Sequence, residues 1–215
     1  MFAGPMDFCV TEWVNLGSNM MVCVAAFSSS CQLFKNHRAS SVGFFLLGLS
    51  AALFLFRPFS SQLASIQNKA EWSSEILAPA LVSFEFLWLS EDRNTAHVLL
   101  CGSCMLLGLS DWLSADALMM MVHCLGLSSL SCCMMVCMFA GSALGAVGGV
   151  ALSLPLLVAS RDGMMSVSPL MSQAASEGLM KCFLKVSVSV GCWVSTQALK
   201  NFLVDINDRY NMPLN

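Results

Sequence analysis

Charge is what this sequence has least of. Of its 215 residues only 11% are Asp, Glu, Lys or Arg, against roughly 25% in an ordinary soluble domain. That leaves too little polar material to coat a water-facing surface. No run of Lys or Arg is present, and the formal net charge is −3, so a phosphate backbone has nothing to bind and nucleic acid is excluded as a partner. No Asn-x-Ser/Thr acceptor occurs, so no N-glycosylated outer loop is expected. Met1 to Trp13 contains no Lys or Arg but holds Asp7 and Glu12. This is unlike a cleaved signal peptide, so the first apolar segment is expected to serve as its own insertion signal. The three histidines leave little for a metal site. The 11 cysteines fall almost all inside apolar segments rather than in a disulfide framework, where a thiol behaves as a small hydrophobe.

What is abundant is hydrophobic length. Hydrophobic residues make up 57% of the chain and the mean hydropathy is +0.73. The few charges are spaced: 22 residues without Asp, Glu, Lys or Arg separate Glu12 from Lys35, 18 separate Arg38 from Arg57, 17 separate Arg93 from Asp111, and 44 run from Ala117 to Ser160. A helix needs about 20 apolar residues to cross about 30 Å of hydrocarbon. The spacing predicts an all-α, polytopic transmembrane helix bundle of about seven spans, with six to eight allowed by the longest run. The spans are expected near 13–34, 40–56, 74–89, 95–109, 117–138, 143–158 and 182–203, in a single domain, 1–215. The 44-residue run is too long for one crossing and must reverse, near Phe139 to Ser142. Phe59 to Trp72 reads as a loop or short interfacial helix, Arg57-Pro58 as a stop, Ser166 to Met180 as an amphipathic lead-in, and Asp205 to Asn215 as a frayed polar tail. Lys35 and Arg38, in a short loop, favour an inside position for that loop and an outside N-terminus. Nothing distinguishes an ER-type endomembrane from the plasma membrane.

Few residues could carry chemistry. Glu85 lies ten residues into an apolar run, where a carboxylate is costly and needs an interior partner. Lys185 lies on the face shared by Glu177, Lys181 and Ser189. Together Glu85 and Lys185 are the intramembrane charge candidates, and a pair between them would fix helix register or form a small transporter or channel site. His97 and His123 with Asp111 are the components of an intramembrane metal-dependent hydrolase. Set against this, Asp111 and Asp116 also read as helix caps, and His37 belongs to the basic loop. Cys101-Gly102-Ser103-Cys104 has redox spacing but sits mid-span, away from water, where small-residue packing is the better reading. Gly141, Gly145 and Gly149 recur every four residues and would form one smooth ridge, for a neighbouring span, a partner protein or a second copy of the chain.

The segment Ser83-Phe84-Glu85-Phe86-Leu87-Trp88, followed by Asp92-Arg93, Asn94-Thr95 and Leu99-Leu100, resembles the transmembrane protein 276 family of small vertebrate multi-span proteins. A Gly-rich later span and a basic-flanked last span are also similar. The departures are Glu at position 85, where the family has Asp, and a middle rich in Cys and Met. The resemblance implies a polytopic membrane protein with no established activity. The expectation is therefore a non-enzymatic protein with no cofactor and no metal, whose partners are the lipid bilayer and other membrane segments.

Overall fold

The computed structural model describes residues 5–56, 61–158 and 173–211. Among these there are seven helices and no strand: α1 (Pro5–Leu33), α2 (Arg38–Phe56), α3 (Ser61–Leu89), α4 (Arg93–Leu109), α5 (Ala115–Ala140), α6 (Ala143–Val158) and α7 (Gln173–Asn211). The fold is an all-α bundle. Among the described residues three segments are long and apolar enough to cross a membrane: α2, with a mean hydropathy of 2.0, α5 with 1.8, and Gly178–Phe202 of α7 with 1.2. α6 is equally apolar but shorter, at 16 residues.

The helices alternate in direction, and cross-helix bonds fix the register. Ser30 and Ser41 each donate to the other's backbone carbonyl at 2.9 Å, clasping α1 to α2. Ser74 donates to Ser50 at 3.0 Å between α3 and α2. Ser83 donates to the Ser129 carbonyl and Ser129 to the Pro79 carbonyl, both at 2.9 Å, joining α3 to α5. Ser187 donates to the Ala151 carbonyl, joining α7 to α6. In an apolar interior a hydroxyl with no water to bind finds a backbone carbonyl instead. α1, α2, α3, α6 and α7 pack in a ring that closes where α7 meets α1; α5 lies against α3 and α6, and α4 in the corner between α3 and α5. The core is led by Phe44, Val82, Phe86, Leu152, Cys192 and Leu199.

Several boundaries differ from the sequence reading. The stretch from Phe59 to Trp72, expected as a loop or a short interfacial helix, is helical from Ser61 onward but not a separate short helix, being continuous with the apolar part of α3. It contains no Gly or Pro before Pro79, and Gln67 bonds to Glu71 one turn on, at 3.1 Å, so nothing breaks the helix. The expected frayed tail is helical as far as Asn211. The Arg57-Pro58 stop and residues 166–172 of the expected lead-in lie outside the described residues.

Gly141 is the clearest correction. It is not part of a ridge: α5 ends at Ala140, and Gly141 follows in the left-handed conformation with φ 69°. Its N–H reaches the Met138 carbonyl, and the Ser142 N–H reaches that of Cys137 at 2.9 Å. These two bonds are the glycine C-cap that ends a helix and turns the chain, and they are the turn that divides the 44-residue run.

α3 ends in the same kind of cap, but without a glycine. Glu91 takes φ 67°, while the Asp92 N–H bonds the Leu87 carbonyl at 3.1 Å. Left-handed backbone costs a residue with a Cβ about 1–2 kcal/mol. Glu91→Gly is therefore expected to raise thermal stability by about 1 kcal/mol, and Glu91→Val to lower it, as read from melting in detergent. Equal melting of both variants would show that the cap is not strained.

Candidate functional site

The two charge candidates do not meet. Glu85 lies towards the end of the bundle that carries the α1–α2 and α3–α4 loops. Lys185 lies level with Glu71, 14 residues earlier in α3, or about 21 Å along the helix axis. Each has its own partners, and the expected Glu85–Lys185 pair is replaced by two separate polar clusters.

Glu85 is buried, and its carboxylate closes the start of α2. One oxygen lies 3.2 Å from His37 Nδ1, and the other accepts the backbone N–H of Ser40 at 3.2 Å. A carboxylate at a helix N-terminus satisfies a donor that the helix cannot, and it faces the positive end of the helix dipole. His37, read from sequence as part of a basic loop, is only 2% exposed, whereas Lys35 and Arg38 on either side are exposed. Its Nε2 and the Ser40 hydroxyl are both buried without a protein partner.

The second cluster surrounds Lys185. Its ammonium lies 3.0 Å from Glu71 Oε1, donates to Asn19 Oδ1 at 2.6 Å, and sits 5.1 Å from the centre of the Phe54 ring. Asn19 is held in turn by its bond to the Asn15 carbonyl at 2.7 Å. A cavity of about 30 Å³ opens beside the lysine, with Asn19, Ser50, Glu71, Ser74 and Glu75 supplying its polar lining. Asn19, Glu71 and Glu75 were not singled out from sequence. Their signal was there: Gln67, Glu71 and Glu75 recur every four residues and continue the inward face of α3 into its polar half.

Between the clusters the buried face of α3 is apolar. Ile76, Ala78, Ala80, Leu81 and Val82 are buried apolar side chains, and the Ser83 hydroxyl is consumed by α5. No polar path connects Glu75 with Glu85 among these residues.

The hydrolase components are not gathered either. His97 sits near the start of α4 and is exposed, with its ring 5.7 Å from that of Trp88. Asp111 follows the other end of α4, about 21 Å away along the helix, and pairs with the exposed Lys69 at 3.7 Å. His123 bonds the Met119 carbonyl through Nδ1 at 2.8 Å. Among the described residues no three His, Cys, Asp or Glu side chains are placed to hold a metal ion. Cys101 and Cys104 are exposed free thiols. Asp92 caps α4 by accepting the Thr95 N–H, and Arg93 lies 5.1 Å from the centre of the Trp88 ring.

The remaining glycines of the α6 motif are spent on packing within the chain. Gly145, Gly148 and Gly149 are buried. A Cβ on Gly145 would strike Cys137 of α5, one on Gly149 would meet Cys133 Sγ at 2.6 Å, and one on Gly148 would meet the Ser195 backbone N of α7 at 2.9 Å. This face is occupied by α5 and α7, so Gly145 and Gly149 serve neighbouring spans of the same chain, the first of the readings expected for the ridge.

Known proteins resemble the chain weakly. It is 26% identical over 106 residues to mouse transmembrane protein 276, covering 49% of this chain and 54% of that protein. It is 20% identical over 192 residues to rat transmembrane protein 276, covering 87% of this chain and 92% of that one. The chain thus spans about half the length of the mouse relative in the stretch it matches. No family profile matches, and no solved structure does. The relatives' names and the apolar helices together support a membrane protein.

Proposed function

We propose that this chain is a multi-pass membrane protein of the transmembrane protein 276 kind that acts without enzymatic chemistry, by lateral association with lipid or with other membrane segments. The observation that carries the reading is the outer face of α5. Only 28% of its most apolar window is buried within the bundle, and Met120, Leu127, Met135, Met138 and Phe139 point outward. Large flexible side chains of this kind pack against varied apolar neighbours, and in water such a face would be a liability. The apolar buried stretch of α3 between Glu75 and Glu85 weighs against a transport path along that helix, and the scattered His97, His123 and Asp111 weigh against a hydrolase.

Two measurements test the reading. Native mass spectrometry of detergent-purified protein is expected to find retained lipid or a membrane partner, and stoichiometric zinc would overturn it. On a cysteine-free background in sealed vesicles, Asn36→Cys, Asn94→Cys and Ser142→Cys are expected to react with an impermeant maleimide from one side, and Ser114→Cys from the other. Labelling of all four positions from the same side would sink the multi-pass arrangement.

A further inference from the structure

The Lys185 cluster does not balance its charge. Glu71 and Glu75 present two carboxylates to one ammonium, an excess of one negative charge. The cluster is packed by four helices. α1 contributes Asn19, α2 contributes Ser50 and Phe54, α3 contributes Glu71, Ser74 and Glu75, and α7 contributes Lys185. No other described cation compensates: Lys69 is exposed and engaged with Asp111, and Lys181 is exposed.

The donors are unevenly shared. Glu71 accepts from Lys185 and from Gln67. Among the described residues no hydrogen bond reaches the Glu75 carboxylate, although it lines the cavity and lies in the field of Glu71 and Lys185. A partly buried carboxylate with no donor and a like charge nearby is costly unless a positive guest accompanies it. The space for that guest is present: about 30 Å³ is room for one or two water molecules or one partly hydrated small ion. Its polar lining is oxygen from Asn19, Ser50, Ser74 and the two glutamates, the donor set that hard cations take, beside the Lys185 ammonium and the apolar Val22, Leu47, Ala51 and Val188.

We propose that the cavity among Asn19, Ser50, Ser74, Glu71, Glu75 and Lys185 is a site for one small monovalent cation, a proton or a sodium-sized ion, with Glu75 as its anionic ligand. Glu71 is held by Lys185, which leaves Glu75 to take the guest. The inference does not depend on the lateral-association reading, since a cation here would stabilise the bundle whether or not a partner docks on α5.

The test is thermal melting of the full chain in lipid nanodiscs, at constant ionic strength, with sodium replacing N-methylglucamine and at pH values from 5.5 to 8.5. A ligand in about 100-fold excess over its Kd is expected to raise Tm by about 5 °C. A saturable rise with sodium that Glu75→Gln abolishes assigns a metal ion. A rise on acidification alone that Glu75→Gln abolishes assigns a proton. If the wild type responds to neither, or Glu75→Gln keeps the full response, the proposal is overturned. Should Glu75→Gln fail to fold, the infrared carboxyl bands of the wild type serve instead. A band that shifts with sodium or pH in the cation-responsive range supports the site, and unchanged bands overturn it.

Discussion

Glu85→Leu is expected to be among the most damaging single substitutions in the bundle, lowering stability by about 3–5 kcal/mol. The loss does not come from the methylene groups, which leucine largely replaces. It comes from what the carboxylate leaves behind. The Ser40 N–H at the start of α2 and the buried His37 imidazole both lose their acceptor, and both residues are buried away from the surface. Glu85→Gln keeps an amide oxygen for one of them and is expected to cost less, about 1–2 kcal/mol. The diagnostic variant is the double one. Adding His37→Phe to Glu85→Leu removes the stranded imidazole, and part of the loss should return, because a buried polar pair replaced whole by apolar groups is often close to neutral. Melting of detergent-purified variants reads all three. If Glu85→Leu melts within about 2 °C of wild type, a difference under about 1 kcal/mol, the pair is not structural.

The second large effect is expected at Gly148. A Cβ there meets the Ser195 side chain and, less forgivingly, the Ser195 backbone N at 2.9 Å and Cα at 3.1 Å. A side chain can turn away, whereas a helix backbone cannot, so α6 and α7 must separate. Gly148→Ala is expected to cost about 1–3 kcal/mol, and Gly148→Leu more. Gly17 and Gly108 are the controls: nothing lies within 4 Å of a Cβ at either. Replacing either with Ala is expected to be neutral or to gain up to about 1 kcal/mol, through the lower backbone entropy of the unfolded chain. Equal costs at Gly148 and Gly108 would show that α6 and α7 are not in backbone contact.

The helical bundle was legible in the charge gaps, because a chain with so few charges cannot coat itself with polar surface. The clusters were legible only in part. That a carboxylate at Glu85 needs a partner follows from the cost of burying it; which partner it takes does not. His37 is flanked by Lys35, Asn36 and Arg38, and in sequence nothing distinguishes the one inward-facing member of a polar loop. The Ser40 backbone N–H leaves no trace in residue identity at all. Gly141 misled for a related reason. Glycine at every fourth position fits a ridge, and a glycine that ends a helix four residues before another glycine looks the same. Only the sign of φ separates them, and that depends on where the chain reverses. The polar half of α3 was hidden by its own composition, since a membrane-length argument stops at the first cluster of charges, although helix propensity does not.

The ring closure of α7 on α1 has a consequence for the order in which the protein can be made. Asn19 and Gln32 of α1 both meet lysines of α7, Lys185 and Lys200, which follow them out of the ribosome by more than 160 residues. Until α7 has been synthesised and inserted, those amides lack their lysine partners, and Glu71, which lines the same cavity as Asn19, has its charge uncompensated by Lys185. The nascent bundle therefore holds an open polar seam until α7 is inserted. Quality control that senses unpaired polar groups in the bilayer would find every truncated chain lacking α7 marked along that one seam.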